Sequence, residues 1–307
     1  MRTKLLIPAL AAGLFCFTAC DADFGDFERF NRDFHYSYPL NDGARLTVET
    51  FNGSVEISGW DQNTIDISGT KYGPSQSAAD ALPVNIDHTA SSADIRVVPP
   101  FDRRGRQGAS LIIRVPRGVV LDRIVSSNGH IITSDGVGPS RLKTSNAKIQ
   151  VRGLKGNLDA QTSNGGIDLA EIQGDVMAHT SNARVEVDRV SGTVDVTSSN
   201  GSIRAEVGRP DGRVRAETSN GKIELTVPGE YRGDLRAHTN NSSITLNVLG
   251  SLNGHLVART SNGGINSDFE MRTQGEVSKN YIDAQIGNGG AMLDLSTSNG
   301  GIHVVKM

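Results

Sequence analysis

The chain has 307 residues, of which 36% are hydrophobic and only 5% aromatic, with 35 glycines. That length holds one large domain or two ordinary ones, and so few rings argue for a narrow core of aliphatics, Ala and Thr over the wide core of a globular enzyme. Lys plus Arg number 31 against 34 Asp plus Glu, a net charge of −3. No basic excess points to nucleic acid, and no long like-charge block marks an interaction tail.

Residues 1–19 read as an export signal. Arg2 and Lys4 give a positive start, and Leu5 to Phe17 form an apolar stretch too short to remain as a membrane-spanning helix. The stretch ends Phe17-Thr18-Ala19-Cys20. Small residues before a cysteine resemble a bacterial lipobox, which implies a diacylglyceryl group on Cys20 and cleavage that leaves it as the new N-terminus. Phe17 stands where that motif usually has Leu. An ordinary cleaved signal with an incidental cysteine competes, but it needs a small residue where bulky Phe17 stands. Asp21 resembles an inner-membrane retention signal, a rule that differs between phyla, so either membrane stays open. Cys16 is lost on processing and Cys20 is taken by lipid, which leaves no thiol for a disulfide, a metal or catalysis. Without Arg2 and Lys4 the balance is 29 basic to 34 acidic residues, net −5.

Residues 20–36, rich in Asp, Phe and Arg, show no clean period and read as a tether. Residues 37–125 read as a less regular β part, with strands expected at 44–51, 54–58, 64–69, 84–87, 94–98 and 111–115 and loops at 73–81 and 99–110. In the second loop, Arg103-Arg104-Gly105-Arg106 offers a site for an anionic glycan or headgroup; a solvated loop is the simpler account.

Residues 126–307 carry a repeat. Its Asn falls at Asn128, Asn146, Asn164, Asn182, Asn200, Asn220, Asn241, Asn262 and Asn299, first every 18 residues and then at gaps of 20, 21 and 21. Thr50-Phe51-Asn52-Gly53-Ser54-Val55 is an earlier copy. A period that holds and then lengthens suggests stacked coils with loop insertions. Two places before the Asn stands Thr or Ser, one place after it Gly, Ala or Ser, and three after it Ile or Val, as in Ile149, Ile167, Val185 and Ile203. Five after comes another apolar residue, as in Val151, Leu169 and Val187. This is the alternation of a strand with one buried face. A second strand per coil brings Ala160, Ala178, Val196, Ala216, Ala237 and Ala258 inward, and a third apolar position appears at Leu154, Ile172 and Val190.

Two short strands bury too little alone, so successive coils must pair edge to edge, with like residues repeating every ~4.8 Å. The expected fold is all-β, a parallel β-solenoid of about 18–21 residues per coil. Asn128 through Asn262 are then expected to form a side-chain ladder at one corner, where Asn tolerates a left-handed backbone and the small residue after it avoids crowding. Asn52 and Asn299 fall at its ends. Two alternatives fit less well. Hairpins at each Asn-Gly conflict with Ala147, Ala183 and Ser242 in the Gly place. A left-handed hexapeptide helix wants an aliphatic every sixth residue, whereas here apolar positions alternate in pairs, so a right-handed winding is expected.

Phe51-Asn52-Gly53-Ser54-Val55, Ser58-Gly59-Trp60, Val115-Pro116-Arg117-Gly118-Val119 and the serial Thr-Ser-Asn-Gly-x-Ile copies together resemble the bacterial putative-adhesin family of β-strand-repeat proteins of unknown function. The resemblance covers residues 36–307 and implies a solenoid-like β fold in an envelope protein. Phe51, in place of Ser, and the shortened last coils depart from the repeat as terminal capping would.

Chemistry is thinly signalled. Four places after the Asn, Asp168 and Glu186 are stacked neighbours, a spacing two cooperating carboxylates can use. Arg204 follows Glu186 in the same column, which favours a surface ion-pair ladder. His179 and His238 share a column three coils apart, too far to hold one metal. No metal or cofactor is expected, and the Asn-Gly-Gly-Ile-Asp phrase at Asn164 is not repeated as a calcium motif would be. His130, Lys148, Arg184 and Lys222 form a weak basic stripe for an anionic glycan, or a solubilising face. The chain reads as a non-enzymatic, membrane-anchored envelope lipoprotein offering a scaffold or adhesin-like surface to a glycan or protein. An accessory role in envelope-stress signalling is the alternative, and a polysaccharide-active enzyme a distant third.

Overall fold

In the computed structural model, residues 29–101, 107–209 and 211–307 are described, the side chains of 273–277 apart. The export signal, Cys20 and the Arg103–Arg106 run lie outside the described residues.

Alternation decides the architecture. In Val176–Thr180 and Val194–Ser198 every second side chain is buried, and in Ile167–Ile172 and Val185–Val190 the same alternation holds until one extra exposed residue, Glu171 or Arg189, precedes the buried last one. Each coil therefore has two strands with one apolar face apiece, and two such faces close on each other. The result is a 13-stranded and a 14-stranded sheet, mostly parallel, around one aliphatic core. Parallel pairing between coils excludes the hairpin alternative. Register follows the repeat: Ile149 pairs with Ile167, Ile167 with Val185, Val185 with Ile203, Ile203 with Ile223 and Ile223 with Ile244. The third apolar position is buried as well, at Leu154, Ile172, Val190, Val207, Val227 and Val248. In the longer coils Tyr231 fills the added loop, fully buried with its hydroxyl donating to the Gly212 carbonyl at 2.5 Å.

The ends break the sequence order. The first strands are β1 (Phe30–Pro39), β2 (Arg45–Glu49), β3 (Val55–Trp60) and β4 (Thr64–Gly73), followed by a short helix α1 (Gln76–Asp80). Then come β5 (Val84–Thr89), β6 (Ser92–Val97), β7 (Gly108–Pro116), β8 (Val120–Val125) and β9 (Ile131–Ser134). The β2–β3 coil lies between the β6–β7 coil and the β8–β9 coil. Antiparallel strands cap this end: β1 on β4 and β4 on β7 in the first sheet, β5 on β6 in the second. The C-terminal end does the same in reverse. The last coil, Ala291–Thr297 with Ile302–Lys306, slips between the Asn241 coil and the Asn262 coil. Tyr281–Ile286 then pairs antiparallel on the outer edge of Gly254–Thr260.

Three expectations need correction. The segment 20–36 is not tether throughout, because strand β1 starts at Phe30. Its faces alternate Phe30, Arg32, Phe34, Tyr36, Tyr38 against Asn31, Asp33, His35, Ser37, a period two obscured by the charges. The 73–81 loop holds α1, capped by Ser75 whose hydroxyl accepts from the Ala78 amide. The break at 125/126 has no counterpart in the sheets, since β2, β3 and β8 hydrogen-bond into the same two sheets as the later coils.

Candidate functional site

The corner between the two sheets is the feature repeated most often. Asn128 Nδ2 donates to Asn52 Oδ1, and the same bond recurs from Asn146, Asn164, Asn182, Asn200, Asn220 and Asn241, each to the Asn before it, at 2.7–2.8 Å. There the row leaves chain order: Asn299 donates to Asn241 and Asn262 to Asn299, both at 2.8 Å. Asn52 donates in turn to the Gln107 backbone carbonyl at 2.9 Å. Asn299 thus has an Asn on either side, contrary to its expected place at an end, and Asn262 is the last rung. Asn52, the other expected end, is held on both sides.

The Thr or Ser two places earlier makes a second, buried row. Thr144 donates its hydroxyl to the Gly129 carbonyl, Thr180 to Gly165, Thr218 to Gly201, Thr239 to Gly221 and Thr260 to Gly300, at 2.8–3.2 Å. Each hydroxyl stitches one coil to the next, and a valine of the same shape would leave that carbonyl short of a partner. This explains why only Thr and Ser occur there.

Crowding explains the small residue after the Asn. A Cβ on Gly165 would stand 1.7 Å from the Ala147 carbonyl oxygen, and one on Gly201 1.7 Å from that of Ala183. In spatial order the column reads Gly53, Gly129, Ala147, Gly165, Ala183, Gly201, Gly221, Ser242, Gly300, Gly263. Every residue with a Cβ has glycine above and below it.

The left-handed backbone expected at the Asn lies elsewhere. Among the described residues no Asn has positive φ; Asp135, Gly153, Glu171 and Arg189, at φ 51–69°, carry it where the first-sheet strand turns toward the return corner, just past the strand for Asp135 and Gly153 and one residue before its end for Glu171 and Arg189. Their side chains share no type, so nothing in the composition of that column announced it.

Outside the coils, charge is paired. Lys148 forms an ion pair with Asp168, Arg184 with Glu186 at 2.7 Å and Lys222 with Glu224 at 3.2 Å. Three of the four stripe residues, Lys148, Arg184 and Lys222, are therefore partners of the acidic column, and Arg204 lies beside Glu186 in register. Asp168 and Glu186 are neighbours along the column, yet each has a cation beside it and a third or more of its side chain in solvent. Two carboxylates cooperating in bond cleavage need a less compensated setting. On the second sheet Arg215 grips Glu217 with two bonds of 3.0 Å, and that fork holds the Glu217 carboxyl below the usual range. His179 and His238 are separated in their column by Thr197 and Glu217. Among the described residues no group of three or more His, Cys, Asp or Glu is placed to hold a metal. None of their helices is long and apolar enough to cross a membrane.

Compared with known proteins, residues 130–306 match the family described as "Domain of unknown function (DUF7330)". No curated protein matches the chain. Among solved structures, a putative lipid binding protein from Parabacteroides distasonis ATCC 8503 is similar at 12% identity and a TM-score of 0.37, over 92% of this chain and 98% of that one. A putative adhesin from Parabacteroides merdae ATCC 43184 is similar at 10% identity and a TM-score of 0.34, over 89% and 96%. A putative cell adhesion protein from Clostridium sporogenes ATCC 15579 is similar at 12% identity and a TM-score of 0.25, over 90% and 100%. Likenesses of that size say nothing of what this chain binds.

Proposed function

The chain belongs to the DUF7330 family, and from that premise we propose that it is a non-enzymatic lipoprotein of the bacterial cell envelope. In this reading a right-handed β-solenoid, tethered by lipid on Cys20, offers its ribbed outer faces to an envelope glycan or protein. The observation that supports it is the use of the corner: the Asn amides, the most conspicuous polar groups, bond to one another. What the coils leave for a partner is a long face of ion pairs and hydroxyls, suited to broad contact and not to chemistry at one point. The paired alternation of apolar positions favours the right-handed winding. Thr18-Ala19-Cys20 after the apolar stretch supports the anchor.

Mass spectrometry of the membrane-extracted protein tests the anchor, with an acylated Cys20 expected at the N-terminus. A soluble chain that starts elsewhere, together with normal processing of Cys20→Ala, removes the lipoprotein reading.

A further inference from the structure

The N-terminal end of the stack is aromatic in a molecule with few rings. On the inner face of β1, the Phe34 and Tyr36 rings lie 5.8 Å apart and those of Tyr36 and Tyr38 6.4 Å, the latter pair stacked. Tyr38 stacks in turn on His88 of β5 at 3.9 Å, so the row bridges the two sheets across the open end. Val84 and Ile86 of β5 are only half-buried beside it, and Tyr36 is 41% exposed. A cation flanks the row: Lys71 lies 5.8 Å from the Phe34 ring, while on the other face of β4 the Arg29 guanidinium sits 3.4 Å over Tyr72. Phe101, in the loop that leads into β7 at this same end, is fully exposed. Among the described residues β1 is an edge strand, paired only with β4.

Chain length says what covers this end. β1 begins at Phe30, and the nine residues 20–28 span at most about 30 Å. If Cys20 carries lipid, this end of the solenoid is never far from the bilayer. Aromatic rings with a polar tip, with basic residues near them, are the side chains that favour the headgroup layer. We infer that the Phe34–Tyr36–Tyr38–His88 end rests in the headgroup layer of the anchoring membrane, with the coil axis rising from it. The anchor in this inference rests on the lipoprotein reading above; the docking face is additional to it.

Fluorescence on the full chain in vesicles of phosphatidylethanolamine and phosphatidylglycerol, with bromine on the acyl carbons nearest the headgroup, tests the inference. In a Trp60→Phe background, the indole introduced by Tyr36→Trp is expected to lose a large part of its emission. The indole introduced by Met177→Trp, at a 55% exposed position six strand spacings or about 29 Å along the second sheet, is expected to keep its emission. An acylated chain with an unquenched indole at position 36 overturns the docking face. So does cross-linking of position 36 to a second copy, which would make this end a dimer contact. An unmodified Cys20 in mass spectrometry defeats the anchor alone, and adding the same vesicles to that chain still decides the face by quenching or its absence.

Discussion

The middle of this molecule and its ends solve different problems. From Asn146 to Val187 a residue's neighbour is found by adding 18, and one coil is interchangeable with the next. A repeat of that kind has no reason to stop, and its last strands would present bare edges. Both ends stop it in the same way. The first coil in the chain is second in space, and so is the last, counted from the other end. The outermost coils are therefore chain-internal, held covalently on both sides, and antiparallel strands lie on their edges. Termination is built from long-range connection, whereas the middle is built from repetition.

The contrast can be tested first at the aliphatic column. Ile167 is fully buried in the middle, whereas Ile265, at the C-terminal edge of the same sheet, is only partly covered. Ile167→Asp should cost several kcal/mol by burying an unpaired charge, and Ile265→Asp clearly less. Asp168→Ala, which removes one half-exposed ion pair, should cost under about 1 kcal/mol. Thermal melts of the three variants check the order; equal tolerance at 167 and 168 would reverse inside and outside.

The small-residue column gives the next effect. Gly165 lies between Ala147 and Ala183, so Gly165→Ala places three Cβ atoms in succession and forces backbone apart. A loss of about 1–3 kcal/mol is expected, against under about 1 kcal/mol for Ala147→Gly, read as shifts in urea midpoint. If both substitutions cost the same, crowding is not what selects glycine there.

The Asn row bears most directly on the ends. Asn182→Ala and Asn299→Ala each break two rungs and should cost roughly 1–3 kcal/mol. Asn262→Ala breaks one and should cost less. Denaturation midpoints decide it: a smaller loss for Asn299→Ala than for Asn262→Ala would argue for chain order over the observed stacking. Asn182→Ala with full stability and lost envelope binding would make the corner a ligand site.

How far the sequence spoke follows the same division. The inward columns at Ile149, Ile167, Val185 and Ala160, Ala178, Val196 were legible because alternation and period state them twice. The place of Asn299 was not, because its motif is the same as that of Asn262 and a repeat does not say which copy is its neighbour. β1 was hidden by Arg32 and Asp33, which dilute an alternation that Phe34, Tyr36 and Tyr38 nonetheless keep. The left-handed corner at Asp135, Glu171 and Arg189 left no signature at all, since stacking on neighbouring coils, and not residue type, imposes that conformation. Cys20 and the outer faces depend on chemistry outside the fold.

One backbone oxygen has an influence far beyond its size. A carbonyl can only accept, so the Gln107 oxygen decides which way the Asn52 amide faces. Asn52 then decides for Asn128, and the choice passes through ten side chains to Asn262. Reversing any one amide in the middle would set two NH2 groups face to face on one side and two oxygens on the other. The orientation is collective, made once for the whole molecule. Like peptide units in a helix, the aligned amides add their dipoles, and the solenoid acquires a polar axis, positive toward Gln107 and negative at Asn262.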